Sequence, residues 1–169
     1  MKWKLAPKKS ERLNSTKVFI AARHGQHDRE HRLTACGAAQ MRKLAAAIRK
    51  VATKRNLRIE ILSSAEPCAL RGARIVAEEL GMYDTQVISH ECFWADGSHV
   101  GDFAVAQKMI EALFRDGTLL LLVSNVLMSH RLARYIAAKE NFDAKRAEIV
   151  HGQGLMVAHK GVSIIPRPQ

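Results

Sequence analysis

The chain has 169 residues, of which 47% are hydrophobic and 25% charged, and its formal net charge is +11. This composition is ordinary for a single globular domain. The sequence contains no apolar run of about 18 residues, so it predicts no membrane-spanning helix. The three cysteines include no CxxC pair, which argues against a disulfide framework or a structural zinc site. We therefore predict a cytoplasmic protein that needs no metal and no other cofactor.

The first 16 residues are predicted to be a basic leader, followed by one domain over residues 17–169. Residues 1–17 hold six basic side chains and one acidic side chain, without the apolar segment of a secretory signal. Such charge permits contact with nucleic acid. Aromatic residues make up only 5% of the chain and no recognition motif is present. A basic, nucleic-acid-associated protein is therefore only an alternative interpretation.

Strands and helices are predicted to alternate along the rest of the chain. Short apolar runs predict strands over residues 18–22, 57–64, 85–91 and 118–124. Capping residues and apolar positions at helical spacing predict helices that begin near Thr34, Pro67, Asp102 and Val126. The tail predicts two or three short strands around residues 152–154. This order predicts an α/β fold, a three-layer αβα sandwich with a mainly parallel central sheet.

In such folds, ligands bind at the carboxyl ends of the strands. The first predicted strand ends in Arg23, His24 and Gly25, and the fourth ends in Ser124 and Asn125. An arginine and a histidine at one strand end can hold an anion, and a glycine lets backbone approach it closely. A histidine in this position is also common as a structural residue, so the tripeptide alone leaves both interpretations open.

Four motifs in chain order carry more information than the tripeptide. They are RHGQ (23–26), LTACGAAQ (33–40), SSAEPCALRGARIVAEELG (63–81) and LLLLVSNVLMSHRLARYI (119–136). Together they resemble the histidine phosphatase superfamily, the phosphoglycerate-mutase-like proteins, and are most similar to its short bacterial branch, which includes phosphohistidine phosphatases. The resemblance implies that His24 accepts a phosphoryl group while Arg23, Gly25 and Gln26 hold phosphate. It implies phosphate, or a phosphorylated small molecule or protein, as the ligand.

Two positions depart from the family pattern. Aligned without gaps, Cys68 stands where the family has a second arginine, and Asn125 stands where it has a second histidine. Loss of one preorganised donor costs about 10²–10³ in rate, so two losses cost roughly 10⁴–10⁶, or less if the residues act as a unit. We therefore predict a degraded phosphate pocket with weak or absent phosphohydrolase activity, in a protein that retains phosphate binding or a scaffold role.

The family mechanism also needs a carboxylic acid that protonates the leaving group. Glu91 is the first candidate because it lies just past the third strand, and Asp96 is the second, although both are equally plausible as solvated loop charges. The alternative to a degraded pocket is an active phosphatase in which Arg71 or His27 replaces the missing cations. We interpret the run His27–Arg32 as a solvated loop, with a cationic lid as the alternative.

The remaining cysteine predictions concern packing and metal binding. Cys36 and Cys92 are predicted to be buried as small apolar residues. A metal site formed by His24, Cys68 and Glu91 has suitable ligand types. Their spacing gives no support for such a site, and we predict none.

Overall fold

The computed structural model describes residues 17–143 and 148–166. The predicted leader, residues 1–16, lies outside these ranges, so the leader and the domain boundary stay predictions. The helices and strands of the described part are β1 (Val18–Arg23), α1 (Ala35–Arg55), β2 (Arg58–Ser64), α2 (Pro67–Glu79), β3 (Val87–His90), α3 (Phe103–Leu113), β4 (Thr118–Ser124), α4 (Val126–Lys139), β5 (Gly154–Ala158) and β6 (Gly161–Ile165). The predicted alternation of strands and helices is therefore confirmed, and the tail forms two strands.

The six strands form one sheet in the order β3-β2-β4-β1-β5-β6. Strands β1 to β4 are parallel to one another, whereas β5 pairs antiparallel with both β1 and β6. Helices α1 and α2 cover one face, and α3 and α4 cover the other. The predicted three-layer sandwich with a mainly parallel sheet is confirmed.

The central strand β4 shows why its sequence is apolar throughout. Leu119 and Leu121 pack into the core beneath α1 and α2, whereas Leu120 and Leu122 pack beneath α3 and α4. Successive side chains of a strand point to opposite faces, so a strand covered on both faces has no position for a solvated residue. All seven residues of β4 are buried.

Side-chain caps fix three of the helix starts. The side chains of Thr34, Asp102 and Asn125 accept hydrogen bonds from the backbone of the first turns of α1, α3 and α4. The predicted caps at Thr34 and Asp102 are thus confirmed. No helix of the described part is both long and apolar enough to cross a membrane.

The two cysteine packing predictions have different outcomes. Cys92 is buried, as predicted, but Cys36 is exposed, so that prediction is wrong. Cys36 lies in the first turn of α1, where the next residue, Gly37, faces the interior and Cys36 itself turns outward.

Candidate functional site

The carboxyl edge of the parallel strands carries a compact group of side chains. His24 directly follows β1, and its N–H donates to the carbonyl of Ser124 at the end of β4, at 2.9 Å. Four further side chains gather around it, and we call the five together the edge cluster: His24, His27, His31, Glu66 and Cys68. His24 and Cys68, both predicted site residues, therefore lie together at this edge with two histidines of the loop over residues 27–33, whereas Glu66 was not among the predicted residues.

The motif LTACGAAQ holds the backbone that follows His24. The N–H of Thr34 donates to the Gln26 carbonyl at 2.9 Å, and the N–H of Gln26 donates to Oε1 of Gln40 at 2.8 Å. Gly25 and Gly37 let this backbone lie directly on the first turn of α1. A Cβ on Gly25 would come within 2.4 Å of the Gly37 carbonyl oxygen.

This contact bears on two residues predicted to bind phosphate. The Gln26 side chain is exposed and its backbone N–H is already bound to Gln40. Gly25 is required by its packing against α1, which is a different reason from the close approach of an anion. Phosphate contacts by Gly25 and Gln26 stay predictions.

The loop over residues 27–33 is ordered by the carboxylate of Asp28. Its Oδ1 accepts from the N–H groups of Glu30 and Arg32 at 2.9 and 3.0 Å, and its Oδ2 accepts from Nε of Arg32 at 2.9 Å. These hydrogen bonds hold the pKa of Asp28 below its usual value. Arg32 is therefore exposed and paired with Asp28 on the outer side of the loop. This agrees with the prediction of a solvated loop for this part of residues 27–32.

The histidines of the same loop turn toward the pocket. The ring of His27 lies 5.0 Å from that of His24, centroid to centroid, and stacks on the ring of His31 at 5.3 Å. His31 has a φ of +57°, a left-handed conformation that is uncommon outside glycine and asparagine. The side of the loop that faces the pocket is therefore built from imidazoles rather than guanidinium groups.

Hydrogen bonding fixes the tautomer of His24. Its Nδ1 lies 2.9 Å from the carbonyl oxygen of Gly25. A carbonyl only accepts, so Nδ1 carries the proton and Nε2 presents a lone pair. Burial lowers the pKa of His24, and the Gly25 hydrogen bond and the charge of Glu66 only partly oppose this effect. His24 is therefore a neutral imidazole whose Nε2 is available as a nucleophile or as a metal ligand.

Glu66 is the member of the cluster that sequence reasoning missed. It precedes α2 and is only 3% exposed. Its Oε1 lies 3.1 Å from Nδ1 of His31, and its Oε2 lies 3.9 Å from Nε2 of His24. Oε2 is buried and has no hydrogen-bond partner among the described residues. The one available signal was local: an acidic residue directly before a proline that begins a helix, within SSAEPC.

Cys68, which the ungapped alignment predicts to stand at the family's arginine position, is fully buried beside Glu66. Burial and then the charge of Glu66 raise the pKa of this thiol to about 12. In the ligand-free protein Cys68 is therefore neutral, and it contributes neither positive charge nor a fork of donors at this position.

Asn125, which the ungapped alignment predicts to stand at the family's second histidine position, forms hydrogen bonds within the fold through both ends of its amide. Its Oδ1 accepts from the N–H of Met128 at 3.0 Å, and its Nδ2 donates to the carbonyl of Ala95. The first bond caps α4 and the second ties that cap to the segment before α3. Asn125 is thus committed to structure at both ends of its amide.

We expect Asn125→Ala to lower the free energy of unfolding by about 1–3 kcal/mol. An N-cap is worth about 0.5–2 kcal/mol, and the Ala95 carbonyl would lose its donor as well. Chemical denaturation of wild type and variant measures the change, and Asn125→Asp separates the two bonds, because aspartate can still cap the helix but cannot donate to the Ala95 carbonyl. Equal stability of the alanine variant and wild type would contradict the structural role.

Two further basic side chains border the cluster. Nε of Arg23 is buried without a hydrogen-bond partner among the described residues, and burial lowers the pKa of this guanidinium. The ring of His151, from the segment before β5, lies 5.8 Å from that of His24. Burial, followed by the charge of Arg23, lowers the pKa of His151 to about 4. His151 was not predicted, because sequence spacing does not reveal that β5 pairs with β1.

The predicted acid candidates have other environments. Glu91 is exposed and borders a surface cleft with His99 and Asp102. Burial acts to raise the pKa of Asp96, but hydrogen bonds from Ser98, Trp94 and the His99 backbone outweigh it and hold that pKa well below its usual value. The carboxylate that lies beside His24 is that of Glu66. A catalytic role for Glu91 stays a prediction.

Comparisons with known proteins place the fold. No protein-family model matches the chain, and no curated protein matches it. Solved structures do match: the protein histidine phosphatase SixA complexed with tungstate shares 14% identity at a TM-score of 0.61, over 87% of this chain and 93% of that one.

Two other structures show the same likeness. A phosphohistidine phosphatase SixA of Agrobacterium tumefaciens shares 12% identity at a TM-score of 0.55, over 89% of this chain and 95% of that one. A phosphoglycerate mutase of Plasmodium falciparum also shares 12% identity at a TM-score of 0.55, over 90% of this chain and 89% of that one. The chain therefore has the fold of the histidine phosphatase superfamily, and the predicted resemblance is confirmed at the level of the fold.

Proposed function

We propose that the chain is a phosphatase-fold protein whose pocket no longer supports phosphoryl transfer at a useful rate. Its retained role is the weak binding of phosphate or of a phosphorylated partner, or service as a scaffold. The observation that carries this proposal is the buried carboxylate of Glu66, whose Oε2 lies 3.9 Å from the Nε2 of His24. That nitrogen is the atom a phosphoryl group must approach.

The carboxylate acts against a phosphoryl ligand through simple electrostatics. Two unit charges of the same sign about 4 Å apart repel by about 4 kcal/mol at an effective dielectric constant of about 20. A family pocket surrounds the phosphoryl oxygens with cations, whereas this pocket places an acid beside the nucleophile and a neutral thiol, Cys68, at the arginine position. The amide of Asn125 is bound to Met128 and Ala95.

One observation supports retained anion binding. Nε of Arg23 is buried and has no hydrogen-bond partner among the residues that the structure describes. A buried donor without a partner carries an energetic cost that an anion would relieve. Structures of relatives of the same fold have been solved with tungstate and with VO3, which are phosphate-like anions. We therefore propose that Arg23 is the main phosphate contact of the pocket.

A second candidate function, an active phosphatase with substitute groups, has its own support. The rings of His27 and His151 lie 5.0 and 5.8 Å from that of His24, so other imidazoles adjoin the nucleophile position. Arg71, the other proposed substitute, is exposed on α2. A working enzyme would therefore rely on His27 rather than on Arg71, and His151, whose pKa is lowered to about 4, would supply a hydrogen bond but no charge.

An assay of turnover separates these two functions. We expect the purified chain to hydrolyse an aryl phosphate and a phosphohistidine peptide no faster than its His24→Ala variant, with or without prior treatment with a chelator. The wild-type protein, chelator-treated or untreated, should bind inorganic phosphate only weakly by calorimetry. The Arg23→Gln variant should show no such binding. Robust turnover that disappears in His24→Ala would overturn the degraded-pocket proposal and favour the active phosphatase.

A further inference from the structure

The edge cluster contains more potential metal ligands than a phosphate pocket requires. One ligand atom from each of His24, His27 and Cys68 lies within 4.8 Å of the other two. The same holds for His31, Glu66 and Cys68. Cys68 belongs to both groups and therefore lies at the centre of the set. Donor atoms around one zinc ion are each about 2.0–2.3 Å from the metal, and therefore at most about 4.6 Å from one another, so separations of up to 4.8 Å need only shorten when an ion binds.

We propose that the edge cluster binds a divalent transition-metal ion, and that Zn²⁺ fits it best. His24, His27 and Cys68 form one group and supply three ligands, with Nε2 as the coordinating atom of each histidine, and Oε2 of Glu66, which lies 3.9 Å from Nε2 of His24, supplies the fourth. Two imidazoles, one thiolate and one carboxylate form a mixed nitrogen, sulfur and oxygen set that suits zinc rather than the hard ions Mg²⁺ and Ca²⁺. This inference does not rest on the proposed function.

The hydrogen bonds around the cluster already orient both histidines for coordination. Nδ1 of His24 lies 2.9 Å from the Gly25 carbonyl, and Nδ1 of His27 lies 2.8 Å from the Asp28 carbonyl. Because a carbonyl accepts the Nδ1 proton in each case, each Nε2 keeps its lone pair. Metal-binding histidines in proteins commonly have this outer hydrogen bond.

Glu66 supplies an independent observation that points to a cation. A carboxylate that is 97% buried needs a partner for each oxygen; the weakly donating thiol of Cys68 lies beside Glu66, and Oε2 has no nitrogen or oxygen donor among the described residues. The other oxygen, Oε1, is held by Nδ1 of His31 at 3.1 Å, which aims the free oxygen toward His24. His31 is thus an outer partner that orients a ligand, rather than a ligand itself.

The charges of the site balance when the metal is bound. Coordination releases the Cys68 proton to solvent, and the resulting thiolate and the Glu66 carboxylate together offset the two positive charges of the ion. Arg23 is the neighbouring cation that opposes binding, since its charge acts on His24. Four protein ligands close the coordination sphere, which is typical of a structural zinc site. Such a site would tie the loop over residues 27–33 to the start of α2.

Cobalt substitution tests the ligand set directly. The untagged full chain, stripped with a chelator, is titrated with Co²⁺ alone. We expect one ion per chain, a sulfur-to-cobalt charge-transfer band in the near ultraviolet and the intense visible bands of tetrahedral Co²⁺. The charge-transfer band should be absent in Cys68→Ser and unchanged in Cys36→Ser, a matched control because Cys36 is exposed outside the cluster.

Affinities for Zn²⁺ by competition calorimetry test the other ligands without relying on Cys68→Ser, which replaces a buried residue. His27→Gln and Glu66→Gln should each lower the affinity by more than about 100-fold, and His31→Gln by about 10- to 100-fold, the range for an outer partner. His159→Gln, which changes a histidine that pairs with Arg55, should leave the affinity unchanged. Saturation at about 100 times Kd should raise the melting temperature by about 5–10 °C.

Three results would overturn the metal site. They are the absence of a charge-transfer band in the wild type, persistence of that band in folded Cys68→Ser, and unchanged Zn²⁺ affinity in both His27→Gln and Glu66→Gln. The readouts are absorbance, heat and melting temperature rather than turnover. The metal site and the degraded phosphatase pocket can therefore fail independently of each other.

Discussion

Replacing Cys68 by arginine and Asn125 by histidine in one chain is expected to raise the hydrolysis of an aryl phosphate by about 10²- to 10⁴-fold over wild type. Each change restores a donor of a type that is worth about 10²–10³ in rate, and the two effects need not multiply when the groups act together. An arginine at position 68 would also lie beside Glu66 and neutralise the carboxylate that repels a phosphoryl group.

The matched control is the variant Cys36→Arg with Asn125→His, which adds the same residue types but places the guanidinium on the exposed first turn of α1. Circular dichroism confirms that both variants are folded before kinetics are compared. Because Asn125→His alters the cap of α4, Cys68→Arg alone is measured as well. If folded Cys68→Arg/Asn125→His has no more activity than the control, the ungapped alignment at positions 68 and 125 is incorrect.

Gly37→Ala is expected to lower the free energy of unfolding by about 2–4 kcal/mol and the melting temperature by about 5–15 °C. Helix propensity alone would favour alanine by up to about 1 kcal/mol. The new Cβ, however, would lie 2.1 Å from the carbonyl oxygen of Gln26 and 2.8 Å from its nitrogen. Both are backbone atoms, so no rotamer change relieves the overlap, and the segment after His24 must move away from α1.

Gly97→Ala is the control for this prediction, because a Cβ at Gly97 meets no atom within 4 Å and its φ is not positive. Its stability should remain within about 0.5 kcal/mol of wild type. Thermal and denaturant unfolding are compared for both variants. A Gly37→Ala protein as stable as Gly97→Ala would show that the backbone of residues 25–26 does not pack closely on α1 in solution.

The packing of Gly37 explains why the motif LTACGAAQ contains a glycine, which its resemblance to the family pattern alone does not explain. Within LTACGAAQ, Thr34 caps α1, Gly37 admits the neighbouring backbone, and Gln40 accepts from the N–H of Gln26. Capping signals are local in sequence, so the helix start at Thr34 was predictable. The partner of Gly37 lies 11 residues away in the chain, and no local pattern identifies it.

The candidate site was predictable in its position but not in its composition. Because the carboxyl ends of parallel strands share one edge, the sequence predicted that residues after β1 and β4 and at the start of α2 would meet there. His24 and Cys68 do lie together, and the N–H of His24 donates to the Ser124 carbonyl, whereas the Asn125 side chain bonds to Met128 and Ala95. The acid was expected at Glu91, whereas Glu66 occupies the space beside His24. A metal site was not expected: its proposed ligands come from two segments, residues 24–27 and 66–68, and the sequence did not show that His27 and Glu66 lie beside His24 and Cys68.

The sequence by itself determined the order of strands and helices, the parallel sheet and the edge at which His24 lies. These features follow from apolar periodicity and from caps, which act over a few residues. Only the tertiary structure decided that Glu66 is buried against His24, that His27 turns inward and that Cys36 turns outward. The burial of a polar side chain depends on which loops pack over it, and its cost is offset by partners distant in the chain, so no local pattern encodes it.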